Sequence, residues 1–195
     1  MNQILFDSST GVLVMALAKD GRMIDYSIRI GKKDHAKYVV DRMDQMLKRK
    51  HLTIDQIDEI VVGYGPGSYT GLRIAVMVAK MLAYTKHIKL RAVSSLYFLS
   101  SGIEADRIAP MIDARNGNVF AAIFEGNKIV LPEGLYTVDY VREVAKVNLA
   151  KPYFIDERHY EIDTKKILDM SFVVTDVHHF VPNYLRITEA ERNLE

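Results

Sequence analysis

The sequence predicts an α/β protein built from two related units, residues 1–104 and 105–195, and three observations carry that expectation. The first unit orders its elements β, β, β, α, β, α, β, α. The opening hairpin design recurs after an offset of 106 residues, which sets Asp7 on Asp113, Gly11 on Gly117 and Ala16 on Ala122. Between the repeats lies Gly63-Tyr64-Gly65-Pro66-Gly67-Ser68-Tyr69-Thr70-Gly71-Leu72-Arg73, a glycine-dense turn that joins a short apolar strand to an almost wholly apolar helix. Shared patterning over a whole hairpin marks an internal duplication more firmly than three identities would.

Each element has its own reason. Residues 4–7 and 12–18 are apolar runs joined across Ser8-Ser9-Thr10-Gly11, and Arg22 to Ile30 follows an Asp20-Gly21 turn, a strong hairpin pairing. From Asp34, read as an N-cap, Ala36, Val39, Val40, Met43 and Leu47 recur at helical spacing up to Lys48-Arg49-Lys50, cations that suit a helix C-terminus. Thr53 to Ile57 reads as a short turn or helix. Ile60 to Val62 is a β-branched strand ending at glycine. The helix from Leu72 to Tyr84 carries only Arg73 and Lys80 as charges; a strand at Leu90 to Val93 and a short helix from Ser94 follow.

The second unit opens with Ile108 to Ile123 around Asp113-Ala114-Arg115-Asn116-Gly117, repeating strand, aspartate, polar turn and strand. Phe124 and Ile129 to Leu131 flank a Gly-Asn turn and supply a third strand. Thr137 begins a helix through Val138, Val141, Val144 and Ala145. Tyr153 to Ile155 and Phe172 to Val174 read as strands around a helix at Thr164 to Met170, and Pro182-Asn183-Tyr184-Leu185-Arg186 leads into a charged end.

Composition narrows the function classes. With 26 basic and 25 acidic side chains the formal charge is +1, so no global field draws the chain to nucleic acid or to an anionic membrane. Contact with RNA is expected to be local or through a partner. The absence of cysteine excludes disulfides and thiolate chemistry. The amino terminus has neither a basic n-region nor a long apolar run, and the longest apolar run, Ile74 to Ala79, is far below spanning length. A cytoplasmic protein is expected.

The glycine turn fails the usual nucleotide fingerprints. A Walker A loop needs lysine and a hydroxyl residue after its last glycine, whereas Leu72-Arg73 follows Gly71. Gly65, Gly67 and Gly71 also miss the dinucleotide spacing. Two readings stay open: amides at a helix start with Ser68, Thr70 and Arg73 nearby suit a phosphate, and glycines equally let helix and strand pack closely. Asp7-Ser8-Ser9-Thr10-Gly11 is likewise either a phosphate loop with Mg²⁺ on Asp7 or a capped hairpin turn. His35 has Val39 four residues on, no H-E-x-x-H occurs, and His178-His179 are adjacent, so no metal site is expected. The apolar helix is either a central core helix or one whose second face, rich in Ala and Met, docks on another protein.

Taken together, Ile4 to Leu17, His35, Gly65 to Arg73, Met111 to Ile123 and Pro182 to Arg186 closely resemble the TsaB family, also called YeaZ, in order along the whole chain. The resemblance implies an actin-like ASKHA (ribonuclease H-like) fold of two related subdomains, each a mixed sheet flanked by helices, with the tail returning towards the first. It also implies a noncatalytic scaffold in the formation of N6-threonylcarbamoyladenosine in tRNAs that read ANN codons. In that system TsaC makes threonylcarbamoyl-adenylate, TsaD transfers the carbamoyl group to tRNA, and TsaE is an ATPase bound to the TsaB–TsaD pair. TsaD and TsaE are thus the expected partners, tRNA an indirect one, and no cofactor is expected.

Departures from the relatives point the same way. TsaD holds metal with two histidines four apart on its first helix, and here only His35 matches. Ala114 stands where ATP-binding relatives place glycine, which weakens phosphate approach; Asp7, Ser8, Ser9, Thr10 and Asp113 are then a vestigial phosphate site. The chain is short between Ala150 and Pro182 for the family. The partner surface expected on the first two helices comprises Tyr38, Arg42, Met46, Leu72, Arg73, Ala75, Val76, Met77, Ala79 and Lys80, with a homodimer through the same face as the alternative occupancy. A charge at Ala79 is expected to abolish binding while leaving the monomer folded. The competing classes are an ATP-binding ASKHA enzyme, a kinase or ATPase using Asp7, Thr10 and Asp113, and a metallopeptidase.

Overall fold

The computed structural model describes residues 1–31, 35–156, 158 and 160–185. The expected Asp34 cap, the His35 side chain and Arg186 lie outside the described residues.

Strands β1 (Asn2–Asp7), β2 (Val12–Lys19) and β3 (Arg22–Ile30) form an antiparallel meander. Helix α1 (His35–Arg49) and a 3-10 turn, Ile54–Gln56, lead to β4 (Glu59–Gly63), which lies parallel to β1. Helix α2 (Tyr69–Lys86) crosses to β5 (Lys89–Val93), parallel to β4, and α3 (Ser95–Ser100) follows. The second unit repeats the plan with β6 (Arg107–Asp113), β7 (Asn118–Glu125), β8 (Lys128–Thr137), α4 (Val138–Val147) and β9 (Lys151–Phe154). Helix α5 (Thr164–Met170) and β10 (Phe172–Val173) complete the regular structure among the described residues.

The sheet orders are β10-β5-β4-β1-β2-β3 and β8-β7-β6-β9. In both, a three-strand meander is followed by a helical crossover to a strand parallel to the first, which is the ASKHA arrangement. The duplication seen in the hairpins therefore extends over β1-β2-β3-α1-β4 and β6-β7-β8-α4-β9. Strand β10 comes from the second half of the chain and adds antiparallel to β5 in the first sheet.

Alternation along the strands builds three stacked cores. On β2, Leu13, Met15 and Leu17 face α1 and α2, while Val12, Val14, Ala16 and Ala18 face the other way. That second face shares one core with α3, with Ile108 and Ile112 of β6 and with Phe120 and Phe124 of β7. Beyond the second sheet, Met111, Val119, Ala121 and Ile123 pack against Val141 and Ala145 of α4. The layers run α1 and α2, first sheet, central core, second sheet, α4.

Most elements match their expected ranges, with β3 and α5 identical. Strand β8 differs, running to Thr137 where only Ile129 to Leu131 read as strand. Pro132 and Gly134 interrupt the pattern, and an edge strand tolerates them because its outer amides need no partner strand. Register shifts opposite Ala121 and Ile123 absorb the irregularity. Among the described residues no helix is long and apolar enough to cross a membrane.

Candidate functional site

Two places are candidates for function: the cluster of turns around Asp7 and the outer face of α2. In the first, the turn after β1 lies directly on the glycine turn before α2. Asp7 is fully buried, and its Oδ1 accepts from the amide and hydroxyl of Ser9 at 2.7 and 2.6 Å. Ser8 Oγ donates to the Gly71 carbonyl at 2.8 Å, and the Ser68 amide donates to the Ser9 carbonyl at 2.6 Å. The glycines admit this contact, since a Cβ on Gly71 would stand 1.9 Å from Ser8 O and one on Gly63 1.8 Å from Asp7 Oδ2. The amide of Gly71 donates to the Ser68 side chain, which N-caps α2. Of the two readings of the turn, close packing describes these glycines.

The structure does bring Asp7, Ser8 and Ser9 together, yet Asp113 sits exposed at the end of β6 with its Oδ1 holding the Arg115 amide at 2.9 Å. Thr10 Oγ1 meets the hydroxyl of Tyr160 at 3.2 Å, and the Tyr160 ring is buried in the core between the two sheets. Among the described residues no group of three or more potential metal ligands forms.

Helix α2 has two unlike faces. Leu72, Ala75 and Ala79 are completely buried, and Ala75 and Ala79 share a core with Val39, Met43 and Met46 of α1 and with Ile60 and Val62 of β4. Small residues at 75, 79 and 83 let the helix lie close to the sheet. The opposite face exposes Arg73, Met77, Met81 and Tyr84, with Met77 at 66% and Tyr84 at 61%. Four members of the expected partner surface, Met46, Leu72, Ala75 and Ala79, are thus corrected to core residues, each fully buried within the chain. Val76, 3% exposed, reaches only the floor of a groove, while Arg73 and Met77 are exposed and Tyr38, Arg42 and Lys80 are half-buried. On α1, Tyr38 carries the Arg29 guanidinium over its ring at 3.8 Å.

The groove, 590 Å³ in volume, lies between α2 and the segment 177–184. That segment acts as a strap. Lys80 Nζ donates to the carbonyls of His178 and Phe180 at 2.9 and 2.8 Å, and the Tyr184 and Tyr69 rings meet at a 32° tilt with centroids 4.7 Å apart. The Asn183 amide donates to Tyr64 O at 2.7 Å, while its side chain donates to Glu133 Oε2 of β8 at 3.2 Å. Gly65, at φ +128°, lets the Asn183 carbonyl approach to where a Cβ would stand 2.5 Å away. The strap therefore ties the glycine turn, α2 and the second sheet together. Sequence patterning did not mark Met81 and Tyr84, although both continue the spacing of Met77. It could not place the strap, whose residues have no periodicity.

Burial holds the Glu133 carboxyl above the usual glutamate range, and hydrogen bonds from Ser94 and Asn183 offset part of that rise. A carboxyl with a raised pKa binds more protons folded than unfolded, so its contribution is full below the unfolded value and is lost as pH rises through the folded one. Denaturant unfolding as pH rises above the usual glutamate range is expected to show this decline, with Glu133→Gln removing it. An unchanged slope in the variant would refute the assignment.

Comparison with known proteins places this architecture. Residues 29–190 match the family described as TsaD, tRNA N6-adenosine threonylcarbamoyltransferase. The tRNA threonylcarbamoyladenosine biosynthesis protein TsaB of Bacillus subtilis is 28% identical over 98% of this chain and 96% of its own length. The protein of that name from Escherichia coli is 27% identical over 64% of this chain and 55% of its own. In fold, the chain is similar to YeaZ from Pseudomonas aeruginosa, with a TM-score of 0.73, 21% identity and coverage of 94% of this chain and 99% of that one. A second Pseudomonas aeruginosa structure, described as similar to peptidase YEAZ, superposes with a TM-score of 0.76 at 22% identity, covering 95% and 99%. With the duplicated sheets, the glycine corner and the full-length similarity in agreement, the chain belongs to the TsaD family, on its TsaB (YeaZ) branch.

Proposed function

We propose that this chain takes part in the biosynthesis of tRNA threonylcarbamoyladenosine as a noncatalytic scaffold that docks on the TsaD transferase through the outer face of α2 and the adjoining surface of α1. The TsaE ATPase joins that pair, and tRNA is reached through the complex. One observation carries the reading: α2 exposes Met77, Met81 and Tyr84 in line on a helix whose other face is fully built into the core. Large apolar side chains in a contiguous exposed row mark an interaction surface. The packing of Asp7, Ser8 and Ser9 onto the glycine turn favours the noncatalytic role, because those groups serve contacts within the chain.

Copurification with TsaD, followed by tRNA modification with and without this chain, tests the reading. Met77→Glu, at an exposed site, is expected to change folding stability by no more than about 0.5 kcal/mol while abolishing copurification and the chain's stimulation of modification. Full binding by Met77→Glu would overturn the docking face. Modification that proceeds equally well without the chain would overturn the scaffold role.

A further inference from the structure

All the sulfur in this chain is thioether, since it has nine methionines and no cysteine. The methionines fall into two environments. Met15, Met43, Met46 and Met111 are at most 3% exposed within the cores, and Met170 packs half-buried against the central one. Met77 and Met81 are 66% and 48% exposed, four residues apart on α2 and therefore one above the other on its open face. The other two exposed methionines lie elsewhere, Met1 at the amino terminus and Met23 on β3. No thiol of this chain competes for an oxidant that reaches the groove, which Met77 and Met81 both line.

A thioether reacts with hydrogen peroxide in one two-electron step. A sulfur lone pair attacks one peroxide oxygen, the S–O bond forms as the O–O bond breaks, and the departing oxygen takes up the proton and leaves as water. Sulfur is oxidised, peroxide is reduced, and a flexible apolar side chain becomes a polar one. Methionine sulfoxide reductases reverse the step at the expense of a dithiol, which becomes a disulfide while the oxygen leaves as water. On this face the cations beside the new oxygens are already engaged. Lys80 Nζ donates to the His178 and Phe180 carbonyls, and Arg73 Nη1 donates to the Tyr69 hydroxyl at 3.3 Å. A sulfoxide carried into an apolar contact must shed its water, and an oxygen left unpaired there weakens association.

Resting on the docking face assigned above, we propose that Met77 and Met81 form a reversible oxidation site: peroxide converts their thioethers to sulfoxides in the free chain, and the face that results no longer docks. The fold survives the change, because the methionines that build the cores are enclosed.

The test treats the full chain with hydrogen peroxide, removes the peroxide, and measures capture by TsaD beside peptide mass spectrometry of each methionine. Met77 and Met81 are expected to oxidise before Met15, Met43, Met46 and Met111, with affinity for TsaD falling about tenfold or more and the melting temperature retained. Methionine sulfoxide reductases of both epimer specificities, supplied with dithiothreitol, are expected to restore binding. A chain carrying Met77→Leu and Met81→Leu is expected to keep its own untreated affinity, whatever its value, through the same treatment, whereas Met23→Leu stays as sensitive as the parent. Unchanged binding with both residues present as sulfoxides would overturn the inference, as would oxidation of the core methionines at the same rate, a loss that the reductases do not reverse, or a loss that tracks unfolding in a thermal scan. Absence of capture before any peroxide is added refutes the docking face itself, which separates that failure from a failure of the oxidation site alone.

Discussion

Ala79→Asp is expected to unfold the monomer rather than merely to disconnect it from a partner. Ala79 is fully buried, in one cluster with Ala75 and Ala83 of its own helix, Met46 of α1 and the inner residues of β4. A carboxylate there meets no cation and no donor along an apolar seam, and burying an uncompensated charge costs roughly 3–5 kcal/mol. For a chain of this length that corresponds to a fall of about 6–20 °C in melting temperature. The sequence-based expectation of a folded monomer that has lost its partner is therefore replaced. A thermal unfolding scan decides between them, and a melting temperature within about 2 °C of the parent would show that Ala79 is not enclosed as described.

Gly71→Ala is expected to destabilise the chain despite the general preference of helices for alanine. That preference is worth up to about 1 kcal/mol. Against it, the new Cβ would stand 1.9 Å from the Ser8 carbonyl oxygen, a backbone atom in a turn that is held on both sides. Separating α2 from that turn stretches the Ser8-to-Gly71 and Ser68-to-Ser9 hydrogen bonds and forces overpacking that costs roughly 1–3 kcal/mol or more. Steric cost wins, and a net loss of about 2 kcal/mol is expected from denaturant unfolding. Gly117→Ala is the contrasting case: nothing lies within 4 Å of its added Cβ, so only its φ of +74° is penalised. A Gly71→Ala protein more stable than the parent would refute the close contact between turn and helix.

Elements whose information is local are legible in the amino-acid sequence. Arg22 to Ile30 alternates after an Asp-Gly turn, and Ser94 and Thr137 precede their helices as caps with side chains that accept from Tyr97 and Tyr140 amides. The matched Asp7 and Asp113 hairpins disclose the duplication because each repeat is written within about fifteen consecutive residues. Strand β8 is longer than its sequence suggests because Pro132 and Gly134 look like a turn until the edge position excuses them.

The site is legible only in part. That α2 is apolar nearly all round follows from its sequence, and Arg73, Met77 and Lys80 lie away from the sheet-facing seam. A helix with apolar residues on every side carries no moment strong enough to say which side is covered, so Ala79 and Met77 look alike in sequence. They end at 0% and 66% exposure.

What the sequence determined by itself was therefore the class of fold, its repeat and the glycine corner, since hydrophobic period, caps and turns act between neighbours a few residues apart. What the tertiary structure decided was which face of α2 remains open and what walls it in. Sheet and facing helix cover the alanine seam, and Lys80 reaches carbonyls 98 and 100 residues further along the chain to hold the strap. Contacts of that range depend on how sheets and helices stack in space, and no pattern within a single stretch of chain encodes them.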